Sequence, residues 1–181
     1  MRVIAGKVGG RKLSAPPPST TRPFTGKAKE GVFSSIADRI EGARVLDLYA
    51  GSGSLGIEAL SRGASEATMV EESREAVKVI SANLAACGFD ASVIRGTLPA
   101  AMSRVTGLHD LVFVDPPYRL SLASVQDVVE HLGPYLADGA TVIVHRRKGD
   151  GLIQAGEGLE VEDVRTYGDS EIVRLRKRGN P

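Results

Sequence analysis

A single cysteine, Cys87, stands in a chain of 181 residues, so an internal disulfide is excluded and a reducing, cytoplasmic setting is expected. The cysteine itself reads as a small core residue. The three histidines, His109, His131 and His145, are scattered and lack cysteine partners, so no metal site is readable. No apolar run approaches the ~20 residues that a membrane-spanning helix needs. The opening MRVIAGK has no apolar stretch suited to a signal peptide. Acid is missing from one place only. Through Lys29 the chain carries Arg2, Lys7, Arg11, Lys12, Arg22, Lys27 and Lys29 and no Asp or Glu, while the remainder holds an excess of acidic groups. A basic arm on a mildly acidic body points to a polyanionic partner; a solvated tail that aids solubility is the blander alternative.

Hydrophobic residues at 42% and charged residues at 25% are the balance of a globular protein, and the length suits one domain with a small appendage. In the arm, RVIA and RKLSA are short β-like runs around GKVGG, which predicts a hairpin, and PPPSTTRP then reads as a stiff connector. Thr25 is placed to cap a helix running to Arg39, with Gly42 after it. From Ala43 the pattern alternates. Strands are expected at 44–49, 66–71, 91–95, 110–114 and 140–145, and helices at 54–62, 74–86, 98–105 and 121–137. That order predicts a parallel sheet covered on both faces. LEVEDVRTYG and EIVRLRK, joined by DS with no helix between, predict a closing antiparallel hairpin. Only the arm reads as a separate unit, so the cofactor site is expected to be independent of it.

The stretch RVLDLYAGSGSLGIEAL (44–60) is a strand, a glycine loop and a helix. Gly51, Gly53 and Gly56 satisfy G-x-G-x-x-G, and Glu71 ends the next strand where an acidic residue can take ribose hydroxyls. Any adenosine-containing cofactor fits this much. Two features favour S-adenosylmethionine over NAD. The chain ends soon after the fifth parallel strand, leaving no second half-sheet for another nucleoside. Asp47, just ahead of the loop, would repel a pyrophosphate but suits a sulfonium and its ammonium group.

VFVDPPY (112–118) ends a buried strand on a carboxylate, two prolines and an aromatic ring. Pro117 forces residue 116 into extended geometry, which can turn the Pro116 carbonyl outward beside the Asp115 carboxylate. Two acceptors suit an NH₂ group, and Tyr118 can stack on a flat ring that carries it. Stacking uses the ring and assigns no task to the hydroxyl. The acceptors would also stabilise the positive charge that builds on nitrogen during methyl transfer. In such sheets these residues lie at the carboxyl edge beside the glycine loop.

With RVIAGKVGGRKL, RPFTGKAKEGVF, LDLYAGSGSLGIEALSRGA, VEES and FVDPPY, the sequence resembles the bacterial 16S rRNA guanine-N2 methyltransferases of the RsmD type, which modify guanine-966. The resemblance implies a Rossmann-like class I methyltransferase fold, α/β, with seven strands, the last of them antiparallel, and an N-terminal hairpin extension. It implies an RNA-contacting arm at 1–24 (Arg2, Lys7, Arg11, Lys12 and Arg22) and a methyltransferase domain at 25–181. Asp47, Tyr49, Ala50, Gly51, Ser52, Gly53 and Glu71 are then expected at the S-adenosylmethionine site, with Thr97 near the adenine. Asp115, Pro116, Pro117 and Tyr118 are expected at the target base. The implied partner is 16S rRNA, in a small-subunit particle, and the protein is expected to act as a monomer. Phe24 and Gly26 stand where the family usually has Thr and Asp, and Thr97 where many methyltransferases have an acidic or amide residue. A methyltransferase for another amino group, an NAD-dependent oxidoreductase and a non-catalytic RNA-binding module remain alternatives. Asn83 is open between packing and function, and the run His145 to Lys148 between RNA contact and a solvated strand end.

Overall fold

A computed structural model of the chain describes residues 1–17, 24 and 26–179. The expected cap Thr25, the phosphate contact assigned to Arg22 and most of the proline-rich connector lie outside them. The elements run α1 (Gly26–Ser35), β1 (Arg44–Leu48), α2 (Ser54–Ser61), β2 (Glu66–Glu71), α3 (Arg74–Cys87), β3 (Ser92–Arg95), β4 (His109–Val114), α4 (Leu122–Glu130), β5 (Leu136–Arg147), β6 (Leu159–Tyr167) and β7 (Ser170–Lys177). The sheet order is β3-β2-β1-β4-β5-β7-β6. β1 to β5 pair in parallel, and β7 runs antiparallel to both β5 and β6. The order reverses between β1 and β4, which makes the carboxyl ends of those two strands the switch point.

Strand alternation sends side chains to two apolar layers. Val45, Phe113 and Ile143 pack with Phe33, Ile57 and Ile80 on the face covered by α1, α2 and α3. Leu46, Leu48, Val112 and Val144 pack with Val125, Val128 and Met102 on the other. Asp47 alternates with Leu46 and Leu48, so it points under α2 and is fully buried.

Beyond shifts of a residue or so, four boundaries depart from the expected ones. The helix expected to run to Arg39 ends at Ser35, and a 3-10 turn at Ala37–Arg39 follows it. The segment expected as a helix at 98–105 is a short 3-10 turn at Ala100–Arg104. The helix expected to reach residue 137 stops at Glu130. Pro134 has no N–H for the carbonyl four residues back and its ring would strike that turn, so α4 cannot continue through it. β5 in turn begins at Leu136, with a shift of register opposite His109 to Leu111, where Gly139 has φ +73°.

The arm forms the expected hairpin but is not a separate unit. Arg2 pairs with Lys12, and Val3 and Leu13 enter the apolar layer. The hairpin docks on α2 through backbone donors. Ile4 and Ala5 donate to the Glu58 carboxylate at 2.7 and 3.0 Å, Lys7 N–H to the Ser61 carbonyl at 2.7 Å, and Val8 N–H to the Ser61 hydroxyl at 3.1 Å. The approach is close enough that a Cβ on Gly6 would lie 1.8 Å from the Ser61 carbonyl oxygen. Asn83 seals the far end: it accepts from Ser14 N–H at 2.9 Å and donates to the carbonyls of Ser14 and Ser52 at 3.0 and 2.9 Å. Packing between hairpin and loop is therefore what Asn83 does here.

Candidate active site

The end of β1 is where the chain leaves ordinary geometry. Tyr49, a non-glycine residue, has φ +62°, a conformation that costs of order 1–3 kcal/mol when the surroundings must enforce it. Gly51 and Gly53 follow at +57° and +76°, and the Gly53 N–H closes the turn on the Ala50 carbonyl at 2.7 Å. The third glycine has a different task. A Cβ on Gly56 would lie 2.5 Å from Met69 Cε, so glycine lets α2 press against the sheet.

Two carboxylates are held by this turn. Glu71, at the end of β2, accepts from Gly51 N–H at 2.8 Å on one oxygen and from Ser73 N–H at 2.9 Å on the other. A carboxylate has about four lone-pair positions, so each oxygen keeps capacity for a further donor. Asp47 accepts from Gly56 N–H at 2.9 Å through Oδ2, while its buried Oδ1 has no partner among the described residues. Burial pushes the Asp47 carboxyl up to about 7; the Gly56 hydrogen bond opposes this, nearby Asp115 and Glu71 add to it, and Lys29 works against it.

A cavity of about 1170 Å³ opens over these groups, lined among others by Asp47, Tyr49, Gly51, Ser52, Glu71, Asp115, Pro116 and Pro117. The backbone of Asp115 is tied to β1 by its N–H on the Leu48 carbonyl at 3.3 Å. Glycine loop and DPPY corner therefore share one space at the switch point. Lys29 is the buried cation at its edge, 2.9 Å from Glu58 and 3.1 Å from the Ser54 hydroxyl. Burial lowers the Lys29 pKa against the pull of Glu58.

Other expected residues sit differently. Thr97 is exposed, outside the cavity lining, with its carbonyl receiving Ala101 N–H at 2.8 Å. Tyr118 also lies off the lining and directs its hydroxyl at His145 Nε2, 3.2 Å away. The run His145 to Lys148 divides: His145 and Arg146 are buried, Arg147 and Lys148 exposed. Arg2, Lys7, Arg11 and Lys12 lie on the hairpin, all four exposed, and Arg11 also donates to the Ala86 carbonyl at 2.6 Å. Met1, Arg2, Val3 and Ile4 line the cavity, which corrects the expectation that the site is independent of the arm. Backbone donors drive that seating, and a composition-based reading of a basic arm cannot see them. Lys29 lines the cavity, while His145 and Glu58 lie behind it, the first on Asp115 and the second on Ile4 and Lys29; the sequence discloses none of these placements.

The sheet, the switch-point cavity and the reversed last strand define a Rossmann-like class I methyltransferase fold. A family model described as "Conserved hypothetical protein 95" matches residues 1–176, and the chain belongs to that family. It is 37% identical to YlbH of Bacillus subtilis, covering 99% of this chain and 100% of that one. It is equally, 37%, identical to ribosomal RNA small subunit methyltransferase D of Escherichia coli, covering 91% of this chain and 84% of the relative. Among solved structures, yhhF of Escherichia coli superposes with a TM-score of 0.81 at 32% identity, over 99% of each chain. A protein of Thermus thermophilus gives the same TM-score, 0.81, at 27% identity, over 96% of this chain and 98% of that one. Among the described residues, no helix is long and apolar enough to cross a membrane.

Proposed function

We propose that this chain transfers a methyl group from S-adenosylmethionine to the exocyclic N2 amino group of a guanine, guanine-966, in 16S rRNA of a small-subunit particle. The observation that carries the reading is the common cavity. Asp115 and Pro116, two acceptors for an amino group, line the same space as Glu71 and the glycine loop. The name of the Escherichia coli relative supports ribosomal RNA of the small subunit as the substrate.

The residues fit the cofactor. Glu71, fixed by two backbone amides, has lone pairs left for ribose hydroxyls. The orphaned Asp47 Oδ1 is an acceptor in need of a donor or a cation. S-adenosylmethionine, when bound, supplies a methyl made electrophilic by its sulfonium. The protein's own part is to bind and orient. Asp115 and the Pro116 carbonyl turn the amino lone pair toward that methyl, offset the charge that develops on nitrogen, and leave Asp115 placed to accept the released proton. The cations of residues 1–24 contact RNA phosphates in this reading, and residues 25–181 carry the chemistry.

The test is to map modified nucleotides on small-subunit RNA treated with the protein and S-adenosylmethionine. A methyl on N2 of one guanine is expected. A methyl on another base, or on none, removes the guanine assignment.

Cofactor affinity should depend on pH through Asp47. With its folded pKa raised to about 7, Asp47 is largely protonated at pH ~6 and ionised at pH ~8. Only the ionised form attracts a cation, so affinity for S-adenosylmethionine should climb across that window and level off above it. The climb can reach about tenfold per pH unit below the pKa, because one proton must leave on binding. Asp47→Asn should bind weakly with a flat profile. Calorimetry in buffers of differing ionisation heat reads the proton release; a wild-type profile as flat as the variant's counts against this role.

The arm gives a salt prediction. Lys7→Ala with Lys12→Ala should flatten the slope of log affinity for RNA against log salt by about 0.7–0.9 for each phosphate no longer neutralised. Filter binding over a salt series measures it, and an unchanged slope makes these side chains a solvated face.

A further inference from the structure

We infer that His145 and the Tyr118 hydroxyl are positioning residues: a hydrogen-bonded chain, Tyr118 to His145 to Asp115, that dedicates one carboxylate oxygen of Asp115 to the fold and leaves the other for the target amino group. The inference rests on the proposed reading of Asp115 as an acceptor for that group.

β5 carries His145 next to β4, and the imidazole is 1% exposed. Its Nδ1 lies 2.6 Å from Asp115 Oδ1 and its Nε2 3.2 Å from the Tyr118 oxygen. Phe24, which lines the cavity, packs on the ring with centroids 4.4 Å apart, and the Tyr118 ring meets it edge-on at 5.6 Å. The imidazole thus has no room to turn over without losing both polar partners.

The polar partners also fix its proton. An ionised carboxylate can only accept, so the group facing it must be Nδ1–H. A neutral imidazole then offers Nε2 as an acceptor, and the Tyr118 hydroxyl is the donor that meets it. The wrong tautomer would set two acceptors 2.6 Å apart. Asp115 Oδ1 takes the imidazole N–H, which fixes the turn of the carboxylate about its Cβ–Cγ bond, while the carboxylate lines the cavity beside Pro116 and Oδ2 keeps both its lone-pair positions for a donor there. One available oxygen and one carbonyl match the two protons of an amino group. Without His145 the carboxylate can rotate about its Cβ–Cγ bond and present either oxygen, with no fixed distance to Pro116. Tyr118 therefore acts through its hydroxyl as well as its ring, and Tyr118→Phe should not be silent.

Five variants and a single-turnover methylation assay on small-subunit RNA test the chain, with cofactor affinity and melting temperature measured in parallel. His145→Leu should slow the methylation step roughly 10- to 100-fold, by analogy with the range found when partners that orient metal ligands are removed, with cofactor affinity near wild type. His145→Asn, whose amide nitrogen can stand at the Nδ1 position, should recover most of the rate. Tyr118→Phe should slow the step less than His145→Leu. Added to His145→Asn, it should cost little more, because an amide has no tautomer to fix. Wild-type rates in His145→Leu overturn the inference, as does equal slowing in the Leu and Asn variants. If Asp115→Ala is itself fully active, the acceptor reading beneath the inference is wrong. If Asp115→Ala is inactive while His145→Leu is unimpaired, only the positioning role is lost.

Discussion

Asp115→Ala is expected to fold, to bind S-adenosylmethionine with near-normal affinity, and to lose about 10²–10³ in the rate of methyl transfer, the cost of removing one preorganised charge-stabilising group in other enzymes. The fold should survive because the side chain is 23% exposed and the corner's attachment to β1 is made by backbone, Asp115 N–H on the Leu48 carbonyl. The loss should fall on the chemical step. An exocyclic amino nitrogen shares its lone pair with the ring, and it becomes nucleophilic only as it pyramidalises and takes on positive charge. The Asp115 carboxylate interacts more strongly with that charged nitrogen than with the neutral amine, so it favours the transition state over the ground state. Its removal should leave RNA affinity, which phosphate contacts dominate, little changed. His145 should remain buried with its Nδ1–H unpaired, a destabilisation of about 1–3 kcal/mol that a melting curve can register. Single-turnover methylation with saturating RNA and cofactor separates these effects. Near-normal transfer by Asp115→Ala would reduce DPPY to a turn and end the mechanism proposed for it.

What the sequence discloses and what it withholds divide along the range of the interactions. The strand at 66–71 and the closing hairpin are legible because apolar alternation and turn residues are local. Gly51, Gly53 and Gly56 are legible as a set, but for different reasons: positive φ at the first two, and at the third a close approach in which a Cβ would require the end of the Met69 side chain to shift. The end of α4 is obscured by VVEHLGPYL, whose apolar spacing stays helical across a proline that stops the helix. The tie between His145 and Asp115 crosses 30 positions, and that between Ile4 and Glu58 crosses 54. Periodicity carries no information at such separations. A glutamate inside SLGIEALS gives no sign that it is wholly buried, since three of its partners, Ile4, Ala5 and Lys29, come from the hairpin and from α1.

That glutamate gives the largest expected effect on stability. Glu58 is fully buried and receives four donors: the amides of Ile4 and Ala5, the Lys29 ammonium at 2.9 Å and Arg62 Nε at 2.8 Å. Burial alone would raise its pKa, yet Lys29, the Ile4 amide and Arg62 together hold it below the usual carboxylate range. Glu58→Ala leaves Lys29, 4% exposed, with only the Ser54 hydroxyl among the described residues, and orphans two backbone donors. Breaking a buried pair from one side costs about 3–5 kcal/mol, a large share of the ~5–15 kcal/mol that holds a domain folded. The sign with pH follows from the depressed pKa. The contribution of Glu58 is present above its unfolded value of about 4.3 and is lost as pH falls through the lower folded value, so the gap between wild type and variant should narrow in acid. Urea unfolding at pH ~7 and pH ~3 measures both. Lys29→Met added to Glu58→Ala should restore part of the loss, because it removes the stranded cation. The hairpin provides an independent readout. The Ile4 and Ala5 amides should lose hydrogen-exchange protection in Glu58→Ala, and cofactor affinity should fall with them, since Val3 and Ile4 line the cavity. Protection unchanged at both amides would mean that apolar packing of Val3 and Leu13 alone seats the hairpin, and the link from Glu58 to the cofactor cavity would be withdrawn.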